Sequence, residues 1–130
     1  MKESAMNPVV NILSELENVT EYRSPRVIGR VNDQYVKVAK LQGEFVWHKH
    51  DDEDELFYIV KGRLIMRYED GEVVITEGDF HVVPKGVMHN PLAEEECWIV
   101  LIEPVTTKHS GDVASEYTRS IEEQLGDKAL

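Results

Sequence analysis

The hydrophobic positions change period once along this chain. Near the start, Val9, Ile12, Leu13 and Leu16, with Val10 or Val19, recur at helical spacing. Asn7 is a suitable N-cap. Pro8 suits a first helical position, where no backbone N–H is needed. The pattern predicts an N-terminal helix that covers one side of the remaining chain. From about Arg26 the period shortens to two. The runs "YVKVAKL" and "GEFVWHKH" alternate, while "LFYIVKG" is continuously apolar and closes on Gly62. "RLIMRY" and "EVVIT" flank "EDG", where Asp70-Gly71 is a hairpin turn signal. "DFHVVP" and "CWIVLIEP" each stop at a proline. Short strands at regular spacing predict an all-β sandwich or barrel. At the other end, "SIEEQLG" places Ser120 and Glu123 at capping-box spacing with Gly126 as a stop, which predicts a short helix. With no repeat or low-complexity linker, the chain divides into a helical extension over 1–25, a barrel over 26–114 and a tail over 115–130.

Composition narrows the partners. The chain has 130 residues, enough for one domain with its own core. A formal net charge of -11 opposes binding to nucleic-acid phosphates and to anionic membrane surfaces. Cys97 is the one cysteine, so no internal disulfide can form. The first residues hold early acids and no apolar signal core, so a cytoplasmic location is expected.

Candidate chemistry centres on "HKHDDEDE", His48 to Glu55. Residues two apart on a strand share a face, so the His48 and His50 imidazoles can converge. Glu55 opens the next strand and returns to the same point if Asp51 to Asp54 form a turn. His89 lies just beyond a turn set by Pro84 and Gly86. Imidazole with carboxylate suits Zn, Fe, Mn, Ni or Co better than Mg or Ca. A His-x-His pair alone also occurs on ordinary strands, and acidic runs are usually solvated.

Taken together, these residues resemble the cupin family. Its first motif, G-x5-H-x-H-x3/4-E-x6-G, reads here as Gly43, His48, His50, Glu55 and Gly62, with the first glycine one residue too close. Its second, G-x5-P-x-G-x2-H-x3-N, reads as Gly78, Pro84, Gly86 and His89, with Ala93 in place of the asparagine. The resemblance implies a double-stranded β-helix, or jelly-roll barrel. It implies one divalent transition metal, Fe, Mn, Ni or Zn, held by His48, His50, Glu55 and His89. The asparagine is not a ligand in the family, so its loss leaves that set intact.

Strand alternation then assigns the walls. Phe57 and Ile59 share the face of Glu55, and Val46 that of His48, so all three are expected to line the cavity. Met66 is a wall candidate or plain core. His81 either lines the cavity or is a satisfied structural histidine. Trp47 should pack outside, under the helix or a partner subunit. His109 is expected in an exposed loop, and Cys97 in packing rather than as a nucleophile. The resemblance implies a small-molecule ligand and a homodimer paired through sheet edges such as "YVKVAKL". It leaves two functions open: a metal-dependent enzyme of dioxygenase or isomerase type, and a non-catalytic binding module. Only Lys61, Arg63 and Lys85 lie near the motifs as cations, which argues against a phosphosugar.

Overall fold

A computed structural model describes residues 7–130. Its elements in chain order are Ile12–Glu17 (α1), Arg26–Val31 (β1), Gln34–Glu44 (β2), Glu55–Lys61 (β3), Arg63–Tyr68 (β4), Gly71–Thr76 (β5), Phe80–Val83 (β6), His89–Pro104 (β7) and Ile121–Leu125 (α2). All named strand pairs are antiparallel. The all-β barrel predicted from the alternation is what forms.

β7 holds the barrel together. One of its edges pairs with β2, from Gln34↔Pro104 to Glu44↔Leu92. Its other edge pairs with two strands in turn. The end nearer Pro104 takes β3, with Leu56↔Ile102 and Ile59↔Ile99. The end nearer His89 takes β4, with Ile65↔Leu92 and Tyr68↔His89. β6 extends β3, β5 extends β4, and β1 extends β2. "YVKVAKL", expected at an edge, is therefore central, between β1 and β7.

The continuous apolar run of β7 has a physical reason, because its inner face is buried in the core and its outer face is partly covered by α1. Cys97, Ile99 and Leu101 join Ala39, Phe57, Ile59, Leu64, Met66 and Val83 in the inner core. Val100, on the opposite face, packs with Val38, Ile28, Leu16 and Val19 beneath α1. Full burial of a side chain such as Leu16 contributes about 1.5–3 kcal/mol, which fixes the short helix to the sheet.

Three local expectations change. The N-cap is Asn11, whose side chain accepts from Ser14 N, and not Asn7; Val9 is fully exposed before the helix starts. The first six residues of the predicted extension lie outside the described residues. The hairpin turn is Glu69-Asp70, one residue early, because Gly71 already pairs with Tyr68. The strand read through "GEFVWHKH" ends at Glu44, and beyond it only His48 bridges, to His89. The capping box at α2 forms as the spacing predicts, between Ser120 and Glu123.

Candidate metal centre

Backbone contacts bring the donors together. His48 and His89 exchange N–H···O bonds of 3.0 and 2.9 Å. Gly86 N donates to His50 O at 2.7 Å, which seats the Pro84-Gly86 turn on the histidine loop. Asp54 Oδ1 accepts from Lys85 N at 2.8 Å, so this acid of the turn also anchors the second motif. Glu55 opens β3 and points inward. The result is a buried cluster of His48, His50, Glu55 and His89, with donor atoms all within 4.8 Å of one another. Ligands on opposite sides of one ion are about 4.2 Å apart at bonds of about 2.1 Å, so little adjustment is required.

The hydrogen bonds around the cluster show that it fits a cation. His48 Nδ1–H donates to Val46 O at 2.8 Å, and His89 Nδ1–H to Val87 O at 2.9 Å. Each leaves Nε2 with a lone pair aimed inward. His89 Nε2 then stands 3.2 Å from Glu55 Oε1, and His50 Nε2 stands 3.0 Å from it. Despite that distance His50 Nε2 is not aligned for a hydrogen bond, and both ring nitrogens of His50 are buried without a partner. Lone pairs facing a carboxylate at this range repel unless a cation or proton lies between them.

Electrostatics favour the ligand forms. Burial, with His89 adding to it, lowers His48 to about 4, so the ring is neutral at pH 7. Burial pushes the Glu55 carboxyl up, but positive charge and N–H donation from the His50 and His89 side outweigh it and hold the group well below the usual range, the effect that a cation between them would have. These four residues can hold a metal ion.

Beside them lies a narrow cavity of about 40 Å³. His48, Glu55 and Phe57 reach it, as do Leu41, Ile99 and Leu101. Ile59, expected on the wall, is fully buried in the inner core, and so is Met66, for which the sequence left wall and core both open. Val46 misses the wall because the strand has already ended. Phe45 takes the place, with its ring 5.3 Å from that of His48. His81 lies outside this cavity and bonds Tyr68 Oη at 2.6 Å. Trp47 is 43% exposed beside the Arg67 guanidinium, not beneath α1. Cys97 serves packing, as its sequence context predicts; burial pushes its thiol up to about 12.

Several wall residues lie outside the motifs. Lys37 and Glu103 are buried inside the barrel, paired at 2.8 Å, and Lys37 also donates to Gln124 Oε1 at 2.6 Å. Burial and the Glu55 charge push Glu103 well up, against the pull of Lys37. A signal is present in "YVKVAKL", where Lys37 shares the inward face of Tyr35 and Ala39. His109 is the main correction. It stacks on Phe45 at 4.9 Å and lines the cavity instead of standing in an exposed loop. Burial, with the Lys37 charge adding to it, lowers it to about 4. No pattern in "TTKHSG" signals this, because the placement depends on how the tail docks.

Comparison with known proteins agrees with this geometry. The family model described as Cupin_2, cupin domain, matches residues 34–103. The fold is similar to the crystal structure of a cupin-2 domain containing protein from Shewanella frigidimarina NCIMB 400, with 43% identity and a TM-score of 0.73 over 74% of this chain and 94% of that one. The uncharacterized protein YdbB of Bacillus subtilis is 36% identical over 65% of this chain and 75% of its own. A putative dioxygenase, SSO1533 of Saccharolobus solfataricus, is 25% identical over 59% of this chain, which spans 20% of that protein.

Proposed function

This chain belongs to the Cupin_2 family of cupin domains, and from that premise we propose that it is a metal-dependent enzyme acting on a small molecule in the barrel cavity. The observation that carries the proposal is the buried donor cluster with His48 and Glu55 facing a mostly apolar cavity. The similarity to a putative dioxygenase favours oxidative chemistry, with isomerisation as the alternative of the same class. When bound, the ion supplies a Lewis acid or, if redox-active, a centre for activating dioxygen.

The chain's own residues set the conditions. His48 and His89 are locked by carbonyls into the tautomer that presents Nε2. Glu55 supplies the single carboxylate of the set and offsets part of the ion's charge. Phe45, Phe57, Ile99 and Leu101 keep the cavity poor in water, which strengthens electrostatic contacts inside it. We place the protein in the cytoplasm, as a homodimer with no nucleic-acid or membrane partner. Among the described residues no helix is long and apolar enough to cross a membrane.

A second reading, a binding module without turnover, is favoured by the small cavity. Tag-free protein analysed for metals, then assayed for oxygen uptake after loading with iron(II), tests the choice. We expect about one ion per chain, and uptake that requires a small organic substrate. Stoichiometric metal with no turnover across substrate classes leaves the binding module. Failure to take up any of Fe, Mn, Ni or Zn removes both metal readings.

A further inference from the structure

The family match ends at residue 103, and the tail beyond it reshapes the cavity. The tail is fastened to the loop that carries two of the metal-site histidines. Thr106 Oγ1 donates to Glu53 at 2.8 Å. Gly111, with φ of +60°, lies so close to Lys49 that a Cβ there would stand 2.1 Å from the Lys49 carbonyl. Lys49 separates His48 from His50, so the tail seats directly on the donor loop. From that seat it sends His109 and Gln124 into the cavity.

His109 has one defined tautomer. Arg119 N–H donates to its Nδ1 at 2.8 Å, so Nδ1 carries the lone pair and Nε2 carries the proton. Nε2 has no protein partner among the described residues, and the ring is held by its stack on Phe45. A positioned hydrogen-bond donor therefore stands on the cavity wall built by the tail.

Arg23 stands on the same wall. Its guanidinium lies 4.2 Å from the Tyr117 ring of the tail, and Nη1 donates to Gln42 O. Its Nε–H is buried without an acceptor, and no carboxylate pairs with it among the described residues. Lys37, by contrast, is satisfied by Glu103 and Gln124. Once a divalent ion sits against the one carboxylate of its donor set, the cavity holds more positive than negative charge. An anion offsets that excess and gives the Arg23 guanidinium a charge partner.

We propose that the tail completes an anion subsite on the cavity wall, where His109 Nε2–H and Arg23 hold the carboxylate of a small organic acid whose body rests on Phe45 and Phe57. The narrow cavity of about 40 Å³ favours a short acid. The proposal deepens the enzyme reading and rests on it for the role of the ion, but neither His109 nor Arg23 belongs to the donor set.

The test is an NMR titration of the full chain, zinc-loaded and metal-free, with pyruvate and its neutral amide. The variants are His109→Phe, which keeps the stack and loses the donor, His109→Gln, which restores a donor, and Arg23→Gln. Thermal melts check that each folds. We expect pyruvate to bind and the amide not to, with the His109 Nε2–H resonance shifting on binding. His109→Phe and Arg23→Gln should each weaken pyruvate about tenfold or more, and His109→Gln should recover most of that loss. Equal binding of acid and amide overturns the subsite. So does pyruvate binding that depends on the ion alone and is unchanged in His109→Phe and Arg23→Gln. If the chain takes up no metal, the enzyme reading falls, yet a preference for acid over amide that disappears in His109→Phe still establishes the subsite.

Discussion

At the scale of single residues, the acidic run beside His50 shows how little residue type says about role. Asp51 to Asp54 and Glu55 are consecutive, but only Glu55 is buried among the histidines. His50→Ala is expected to abolish tight metal binding and to remove the difference in melting temperature between metal-loaded and chelator-treated protein. Asp52→Ala, on the exposed turn, should leave both unchanged. Melting curves of both variants with and without chelator check this, and an Asp52→Ala protein that loses metal would refute the donor set. A second residue-scale expectation concerns pH. In metal-free protein His48 and His109 are both lowered to about 4, from an ordinary value near 6.5. Between those values the unfolded chain binds more protons than the folded one. Stability is therefore full above about pH 6.5, falls as pH drops, and levels off below about pH 4. Each ring contributes on the order of 3 kcal/mol across that window. Denaturant titrations from pH 7 to 4 should show a shallower fall for His109→Phe than for the parent.

At the scale of elements, the connection from β3 to β4 depends on one glycine. Gly62 has φ of +89°, and a Cβ there would lie 2.7 Å from Glu96 O of β7. Gly78 has nearly the same dihedral, +86°, but nothing within 4 Å. Gly78→Ala should therefore cost only the left-handed strain, about 1 kcal/mol. Gly62→Ala adds a clash with backbone that belongs to the strand joining the whole barrel, and should cost about 3 kcal/mol or more. Urea midpoints for the two variants separate these effects, and equal midpoints would show that the close approach to β7 is unimportant.

At the scale of the molecule, the outer face of the sheet is only partly covered. α1 protects the patch around Val38 and Val100. Further along, Tyr58 pairs with Phe80 in the β3–β6 ladder, and the two are 37% and 64% exposed. Val82 and Ile102 flank them, at 41% and 36% exposed. An apolar surface of this kind is a natural place for a second copy of the chain. We expect sedimentation to give a dimer at micromolar concentration and Phe80→Glu to shift it toward monomer without loss of metal. A parent chain that sediments as a monomer counts against the assembly.

The chain order of polar and apolar residues by itself pointed to β2 to β6, the C-terminal part of β7 and the capped helix at the C-terminal end, but not to β1, and the metal-donor set rests on the resemblance to the cupin motifs. The strands and the helix rest on local rules: alternation across a pleat and a capping box. Asp54 and Gly62 were legible as turn residues, though not as contacts to Lys85 and β7. Only the tertiary structure decided the contents of the cavity. Alternation carries no information once a strand has ended, so Phe45 lines the cavity in place of Val46. Ile59 and Met66 obey the alternation yet fall deeper than the cavity, because depth along the barrel axis is set by strand register. Lys37 and Glu103 are tolerated inside because they meet across β2 and β7, although they stand 66 positions apart in the chain. His109 lies in a stretch with no periodicity at all. Its place on Phe45 depends on the docking of Gly111 against Lys49, a contact between distant backbone segments that no local pattern encodes.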